Sequence, residues 1–302
     1  MTAPPSTGPA SRLSRRTLLG GLAAGVVSVS GCGRTRTPAA APATVTGLLS
    51  GHPFYAAHRG GGGDWPEMTA YAYGQASQLP GLAALEVSVC LSADGVLVCS
   101  HDPTTTRVTG VPYTIAEETW QTLSGLQVSA KDTTDPGQPA RPLTRFDEVV
   151  DAYADRFVLF VEAKVPAAEA PLMARMAGLG HPERVIWKQY VNGPRFAEAK
   201  EHGFTTWGYV LNEPAHLGDN LARFAASSSL DLLGAAATES DAFVSDVVSA
   251  ASEHQKPAIM WPIRSAADRD RAVGLGCQGL MTSTISELLP RAASTTGRIA
   301  IR

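Results

Sequence analysis

The sequence predicts an α/β fold in which eight parallel strands and their helices close into a (β/α)8 TIM barrel. Short apolar runs, typical of buried strands, alternate with Ala-rich stretches that are typical of helices. The chain has 302 residues, of which 44% are hydrophobic, and barrels of about 250 residues commonly form one domain. The strands are expected at residues 54–58, 83–89, 157–163, 185–189, 205–211, 231–235, 257–262 and 278–282.

A ninth β-like run, residues 96–100, lies too close to the second strand to be its parallel neighbour. A parallel crossover needs about a dozen residues, so this run is expected to return antiparallel as a hairpin. Residues 103–145 are rich in Thr, Pro, Asp and Gly and contain no long periodic run. They predict an insertion over the mouth of the barrel, and whether it acts as a lid is left open.

The first 31 residues predict an export signal. Residues 14–19 (SRRTLL) have a twin-arginine arrangement, and the uncharged stretch that follows is shorter than the roughly 20 residues of a membrane-spanning helix. Residues 29–32 (VSGC) resemble the lipobox of bacterial lipoproteins, which would leave Cys32 to carry lipid. An ordinary secretory peptide with an incidental cysteine is the alternative. The expected location is therefore the outer face of the bacterial cytoplasmic membrane.

Four segments follow from these signals. They are a signal peptide at 1–31, a flexible tether rich in Thr, Pro and Ala at 32–50, the barrel at 51–290, and a loosely held tail at 291–302.

The charge distribution argues against nucleic acid as a partner. The net charge is −3, from 25 basic and 28 acidic residues. Removal of residues 1–31 takes away three arginines, which leaves 22 basic residues against 28 acidic ones, a net charge of −6. No basic stripe remains to neutralise a phosphate backbone.

Cys90 and Cys99 flank an Ala-Asp-Gly sequence at residues 93–95, a strong hairpin signal. If Asp94 and Gly95 form a two-residue loop, the two cysteines are cross-strand partners. Thiols oxidise outside the cell, so a Cys90–Cys99 disulfide is one expectation. Two reduced, buried cysteines are the alternative.

Polar residues recur where successive strands end, although apolar periodicity alone would not place them there. A charged group within or ending an apolar strand is costly to bury unless it is paired or binds a metal. Each could singly be a rim residue or an ion pair, but together they indicate an active site on the face formed by the C-terminal ends of the strands. The residues are His58, Arg59, Glu86, His101, Asp102, Glu162 and Lys164.

These motifs resemble the glycerophosphodiester phosphodiesterase family. The resemblance spans about residues 52–290, is specific in the first half and is weak after residue 190. It rests on residues 57–60 (AHRG), 66–69 (PEMT), 85–89 (LEVSV), 94–98 (DGVLV) leading to His101-Asp102, 161–164 (VEAK), 260–262 (MWP) and 279–282 (GLMT).

The resemblance implies a mechanism and a set of roles. One histidine would take a proton while a substrate hydroxyl attacks phosphorus to form a cyclic phosphate, and the other would protonate the leaving alcohol. A divalent cation, Ca²⁺ or Mg²⁺, would be held by oxygen ligands. The implied catalytic pair is His58 and His101; the implied phosphate-binding or substrate-binding residues are Arg59, Lys164, Lys188 and Trp261; the implied metal ligands are Glu86 and Glu162; and the supporting residues are Glu67, Ser88 and Asp102.

The chain departs from the family pattern at the expected metal site. The pattern has Glu-x-Asp on the second strand, where this chain has Ser88, and removing that carboxylate should weaken a divalent ion. Met68 stands where the family usually has Asn, and Ser283 where it has Asp. On the fourth strand, either Lys188 or Gln189 is expected to point into the mouth. If Lys188 does so, its ammonium would partly replace the charge of a metal.

Three functions fit these features. The first is metal-assisted hydrolysis of a small glycerophosphodiester to an alcohol and glycerol phosphate. The second is a phosphodiester-binding lipoprotein with little or no turnover, which Ser88 favours. The third is phospholipase D-like attack on choline lipids. The alcohol of the substrate and the oligomeric state do not follow from the sequence.

Overall fold

The computed structural model describes residues 43–289; the predicted signal peptide, Cys32 and the tail lie outside them. Within that range the strands are β1 (Phe54–Ala57), β2 (Ala84–Leu91), β3 (Leu97–Cys99), β4 (Gln127–Val128), β5 (Arg141–Pro142), β6 (Val158–Ala163), β7 (Val185–Tyr190), β8 (Thr205–Val210), β9 (Leu232–Ala236), β10 (Ala258–Ile263) and β11 (Gly279–Thr282).

Helices follow the strands. The α-helices are α1 (Val45–Ser50), α2 (Ala70–Ala76), α3 (Thr106–Thr109), α4 (Trp120–Leu123), α5 (Phe146–Tyr153), α6 (Pro166–Ala177), α7 (Phe196–Glu201), α8 (Asp219–Ala226), α9 (Asp241–Glu253), α10 (Ala266–Gly274) and α11 (Ile285–Leu288). Four 3₁₀ turns lie at His58–Gly60, Ile115–Glu117, Pro182–Arg184 and Pro214–His216. Between residues 43 and 289 we find no helix with the length and apolar character needed to cross a bilayer.

Eight of the strands form a closed parallel barrel, as the sequence predicts. Neighbouring strands follow the order β1-β11-β10-β9-β8-β7-β6-β2, and β1 also pairs with β2, which closes the circle. The observed strands differ from the predicted ones by no more than two residues at either end. The strand that follows β2, β3, returns antiparallel on β2, which confirms the predicted hairpin.

The prediction of a flexible tether at residues 32–50 was wrong at its C-terminal end, because residues 45–50 form helix α1. The Thr44 side chain accepts a hydrogen bond from the backbone N–H of Gly47 and so caps the helix. Val45 and Leu48 are buried against inward-facing residues of the barrel such as Phe54. Because these apolar side chains leave water, the segment packs under the N-terminal ends of the strands.

Of the two expectations for Cys90 and Cys99, the disulfide was wrong and the reduced, buried pair is confirmed, because the hairpin register differs by one residue from the one that a disulfide needs. Cys90 pairs with Val98, and Val89 pairs with Cys99. The loop therefore has three residues, 93–95, and ends at Gly95 with φ 81°. A shift of one residue moves a side chain to the other face of a strand. Both thiols are free and buried, in different apolar clusters.

Strand alternation directs a set of polar side chains into the barrel. Inward-facing apolar residues near the start of the strands, such as Ala84, Phe160, Ile186 and Trp207, belong to one buried cluster. Two residues further along each of these strands, the same face carries a polar side chain. These inward-facing polar residues, together with the next one on β2, are Glu86, Ser88, Glu162, Lys188 and Tyr209. We call them the polar layer.

Candidate active site

A cavity of about 620 Å³ opens at the C-terminal ends of the strands. His58 and Arg59 follow β1, His101 follows β3, and Ser283 follows β11. All four line the cavity. The structure thus brings together the two histidines that the sequence predicts as a catalytic pair, and Arg59 with them.

The His58 side chain is held by a sharp turn. Its Nδ1 lies 2.9 Å from Ser283 Oγ, and the residue is 4% exposed. Arg59 adopts a left-handed backbone conformation with φ 55°, which is uncommon for a residue with a side chain. The backbone N–H of Arg59 donates to Glu86 Oε2 at 2.8 Å, so a buried carboxylate fixes the turn. Burial lowers the pKa of His58 well below its ordinary 6.5, which leaves the ring neutral at pH 7.

His101 lies in a more open position on the same cavity. Its Nδ1 lies 2.8 Å from Asp102 Oδ1, and its side chain is 30% exposed. Burial lowers the pKa of His101 as well. The hydrogen bond to Asp102 offsets only part of this effect, so the pKa still lies below its ordinary 6.5. A carboxylate on Nδ1 orients the ring and leaves Nε2 to exchange a proton with a ligand. Asp102 is therefore placed to hold the orientation of the His101 ring.

The sequence analysis missed Arg107, which links the two sides of the cavity. Its guanidinium pairs with Asp102 and with Glu67, and Glu67 also pairs with Arg59 Nη1 at 3.1 Å. Arg107 lies in α3 of the insertion and is the single charged residue among positions 103–116. That isolation within a Thr-rich stretch was the available signal.

Glu86 and Glu162, which were expected at the same site as His58 and His101, do not line this cavity. Both belong to the polar layer and are almost fully buried, at 0% and 2% exposed. Glu67 is the glutamate on the cavity wall.

The ammonium of Lys188 lies between the two buried carboxylates. Its Nζ is 2.9 Å from Glu86 Oε1 and 2.8 Å from Glu162 Oε2. Burial is the largest single effect and acts to raise the pKa of both glutamates. Lys188, together with neighbouring positive charges and hydrogen-bond donors, outweighs it, so both pKa values are lowered. Lys188 thus points into the barrel, as one of the sequence-based alternatives had it.

The polar layer does not fit a divalent cation. Each carboxylate oxygen already faces a donor of the protein. At Glu86, Oε1 faces Lys188 and Ser88, and Oε2 faces the backbone N–H of Arg59. At Glu162, Oε1 faces Tyr209 and Lys164, and Oε2 faces Lys188. Ser88 Oγ adds a neutral hydroxyl where the family pattern has a carboxylate. Across residues 43–289, no three His, Cys, Asp or Glu side chains are grouped as metal ligands would be.

Lys164 lines a second cavity of about 410 Å³ together with Glu162, Tyr190 and Tyr209. Its Nζ lies 3.0 Å from Glu162 Oε1. Trp261, another of the residues expected to contact substrate, packs against Tyr209 with ring centroids 5.1 Å apart. Of the four residues expected to bind phosphate or substrate, Arg59 lines the larger cavity and Lys164 the second, whereas Lys188 and Trp261 line neither of these two.

The insertion contributes to the mouth as predicted. Its residues Asp132, Thr133 and Thr134 line the larger cavity. The backbone N–H of Thr134 donates to the carbonyl of Gly63 at 2.7 Å, which ties the insertion to the loop after β1.

Comparison with known proteins gives a consistent family likeness. Residues 58–174 match the glycerophosphoryl diester phosphodiesterase family. A glycerophosphodiester phosphodiesterase from Arabidopsis thaliana is 43% identical over 60 residues, which cover 20% of this chain and 16% of that protein. A probable glycerophosphodiester phosphodiesterase from Mycobacterium tuberculosis is 47% identical over 55 residues, 18% of this chain and 20% of its own. The matched stretches thus span a fifth or less of these relatives.

Solved structures share the fold at low sequence identity. A structure from Silicibacter pomeroyi, described as a glycerophosphoryl diester phosphodiesterase, aligns with a TM-score of 0.64 and 20% identity over 78% of this chain and 92% of its own. A phosphodiesterase from Oleispira antarctica, in complex with the product sn-glycerol-3-phosphate, aligns with a TM-score of 0.62 and 20% identity over 80% and 96%. These alignments support the barrel.

Proposed function

We propose that this protein hydrolyses small glycerophosphodiesters to an alcohol and glycerol phosphate, since residues 58–174 match the glycerophosphoryl diester phosphodiesterase family. The observation that carries the proposal is the pair of histidines, His58 and His101, on one cavity that also presents the Arg59 side chain. A protein that only binds its ligand gains little from two proton-transfer groups. The glycerol phosphate bound to the Oleispira antarctica phosphodiesterase supports the substrate class.

The environments of the two rings favour distinct roles. His58 is the more deeply buried, and burial lowers its pKa well below 6.5, so it is neutral and able to accept a proton. His101 is more exposed and has Asp102 on Nδ1, which favours its protonated form. We therefore assign His58 as the general base and His101 as the general acid.

In the first step, His58 takes the proton of the glycerol hydroxyl next to the phosphate, and that oxygen forms a bond to phosphorus. The bond from phosphorus to the leaving alcohol breaks, and His101 protonates the alcohol oxygen. Water then opens the cyclic phosphate with the two roles reversed. Arg59, on the cavity wall, stabilises the charge that develops on the phosphoryl oxygens.

Replacing either histidine tests the proposal. His58→Ala and His101→Ala should each lower kcat by about 10²–10⁴, the usual contribution of a general acid or base. His181→Ala is a matched control, because His181 is an exposed residue just before β7 and should leave kcat unchanged. Turnover of glycerophosphocholine is measured by release of choline, with circular dichroism to confirm folding. Full activity in both cavity variants would refute the assignment.

The same assay separates the alternative functions. Wild-type protein that binds glycerophosphocholine without turning it over would be a phosphodiester-binding protein. Release of choline from intact phosphatidylcholine, and not from glycerophosphocholine, would instead indicate phospholipase D-like action.

We also propose that the protein is exported and held at the outer face of the bacterial cytoplasmic membrane by lipid on Cys32. The twin-arginine arrangement at 14–19 and the lipobox-like residues 29–32 support this location. Expression with an alkyne-labelled fatty acid should label the wild type and leave the Cys32→Ser variant unlabelled. Equal labelling of both would refute the anchor.

A further inference from the structure

We propose that Lys188 is a built-in cation that replaces the divalent metal of related barrels, so that the reaction proceeds without one. The inference rests on the proposed function for its catalytic part and on the polar layer for its binding part. The ammonium lies within 3 Å of one oxygen from each of the two carboxylates. That is the bridging position which a metal held by Glu86 and Glu162 would need.

The exchange conserves charge. Three carboxylates with a divalent cation carry a net charge of −1. Two carboxylates with one ammonium also carry −1. The loss of the carboxylate at Ser88 and the presence of Lys188 are thus complementary, since either change alone would alter the buried charge by one unit or more. A further uncompensated charge buried in the barrel would be strongly unfavourable.

Hydrogen bonds show how Lys188 acts at a distance from substrate. Its ammonium fixes Glu86, and Glu86 Oε2 accepts the backbone N–H of Arg59 next to His58. The Lys188 ammonium also lies 5.5 Å from the centre of the Trp207 ring, which shields it from solvent. Lys188 is therefore a positioning residue for the His58–Arg59 turn, and it is 3% exposed.

Calcium titration tests the binding part directly. Wild-type protein, stripped with EDTA and titrated calorimetrically with CaCl₂ to about 1 mM, the weak end of the range for extracellular calcium sites, should show no binding. The double variant Ser88→Asp/Lys188→Ala restores three carboxylates and removes the ammonium. It should bind Ca²⁺ and gain thermal stability in its presence, whereas Ser88→Asp alone, which keeps Lys188, should not.

Two results would overturn the inference: Ca²⁺ or Mg²⁺ binding by the wild type that Glu162→Gln abolishes, or a folded double variant that does not bind Ca²⁺. If the double variant does not fold, the wild-type and single-variant titrations still decide the question. A merely structural role for Lys188 would not create a calcium site when it is removed.

Turnover gives a second, separable measurement. Wild-type kcat/KM for glycerophosphocholine should be the same in EDTA, CaCl₂ and MgCl₂, and loss of activity in EDTA that Ca²⁺ or Mg²⁺ restores would overturn the inference. Absence of turnover in every condition would instead refute the proposed function, and the calcium titration would still decide whether Lys188 takes the place of the metal.

Discussion

At the scale of single residues, the site depends on how burial and neighbouring charge set protonation. His58 is buried, contacts the Ser283 hydroxyl and is neutral. His101 contacts the carboxylate of Asp102 and is partly exposed. In the proposed mechanism, the difference between these environments, and not the residue type, divides the roles of base and acid.

The pH dependence of kcat/KM follows from these environments. The general base must be deprotonated and the general acid protonated in the free enzyme. Burial lowers the pKa of both histidines below 6.5, and that of His58 further. As pH rises through the pKa of His101, the acid is lost, so we expect kcat/KM to be maximal below pH 6.5. The pH profile of kcat/KM, recorded in overlapping buffers of constant ionic strength, measures this maximum.

Asp102→Asn provides a matched variant for this profile. Removing the carboxylate that raises the pKa of His101 should shift the alkaline limb to lower pH. A maximum at or above pH 8 in the wild type would contradict the assigned roles.

At the scale of the elements, the hairpin of β2 and β3 sets where His101 enters the site. Its three-residue loop ends at Gly95 with φ 81°, and a Cβ placed on Gly95 would meet open space. The requirement for glycine is therefore one of backbone conformation alone. The register that this loop sets also places Cys90 and Cys99 on opposite faces.

Substitution of Gly95 isolates this conformational requirement. Gly95→Ala should lower the free energy of unfolding by about 1–2 kcal/mol, the cost of a left-handed backbone for a residue with Cβ. Gly95→Asn should cost less, because Asn tolerates that conformation. Urea denaturation of the two variants measures the difference. Equal losses of unfolding free energy in the two variants would indicate that a loop contact, and not the left-handed backbone of Gly95, sets the cost.

At the scale of the whole molecule, the barrel encloses a buried charged layer above an apolar one. Lys188 neutralises part of the charge of Glu86 and Glu162, and the same layer supports the turn that carries His58. Stability and site geometry are therefore coupled through a few buried ion pairs.

Acid should weaken the fold through this layer. Glu86 and Glu162 have pKa values below their ordinary 4.5 in the folded state, because Lys188 and the other positive charges and donors around them together outweigh the effect of burial. Their contribution to stability is therefore complete above about pH 4.5 and is lost as pH falls toward the folded-state values. We expect Tm to fall steeply below pH 4.5.

Glu162→Gln is the matched variant for acid unfolding. It should have a lower Tm at pH 7 and a shallower decline of Tm in acid, since one titrating carboxylate is gone. Parallel declines for both proteins would place the acid sensitivity elsewhere in the chain.

The sequence alone determined the barrel, the hairpin and several of the residues that meet at its mouth. Local apolar runs indicate the strands, and the C-terminal ends of parallel strands share one face. The sequence could therefore predict that His58, Arg59 and His101 lie together. The tertiary structure decided what local pattern does not encode: the hairpin register that separates Cys90 from Cys99, the packing that orders residues 45–50, and the direction of Lys188. That last choice depends on a charge balance among Glu86, Glu162 and Lys188, which come from three different strands and meet only when the barrel closes.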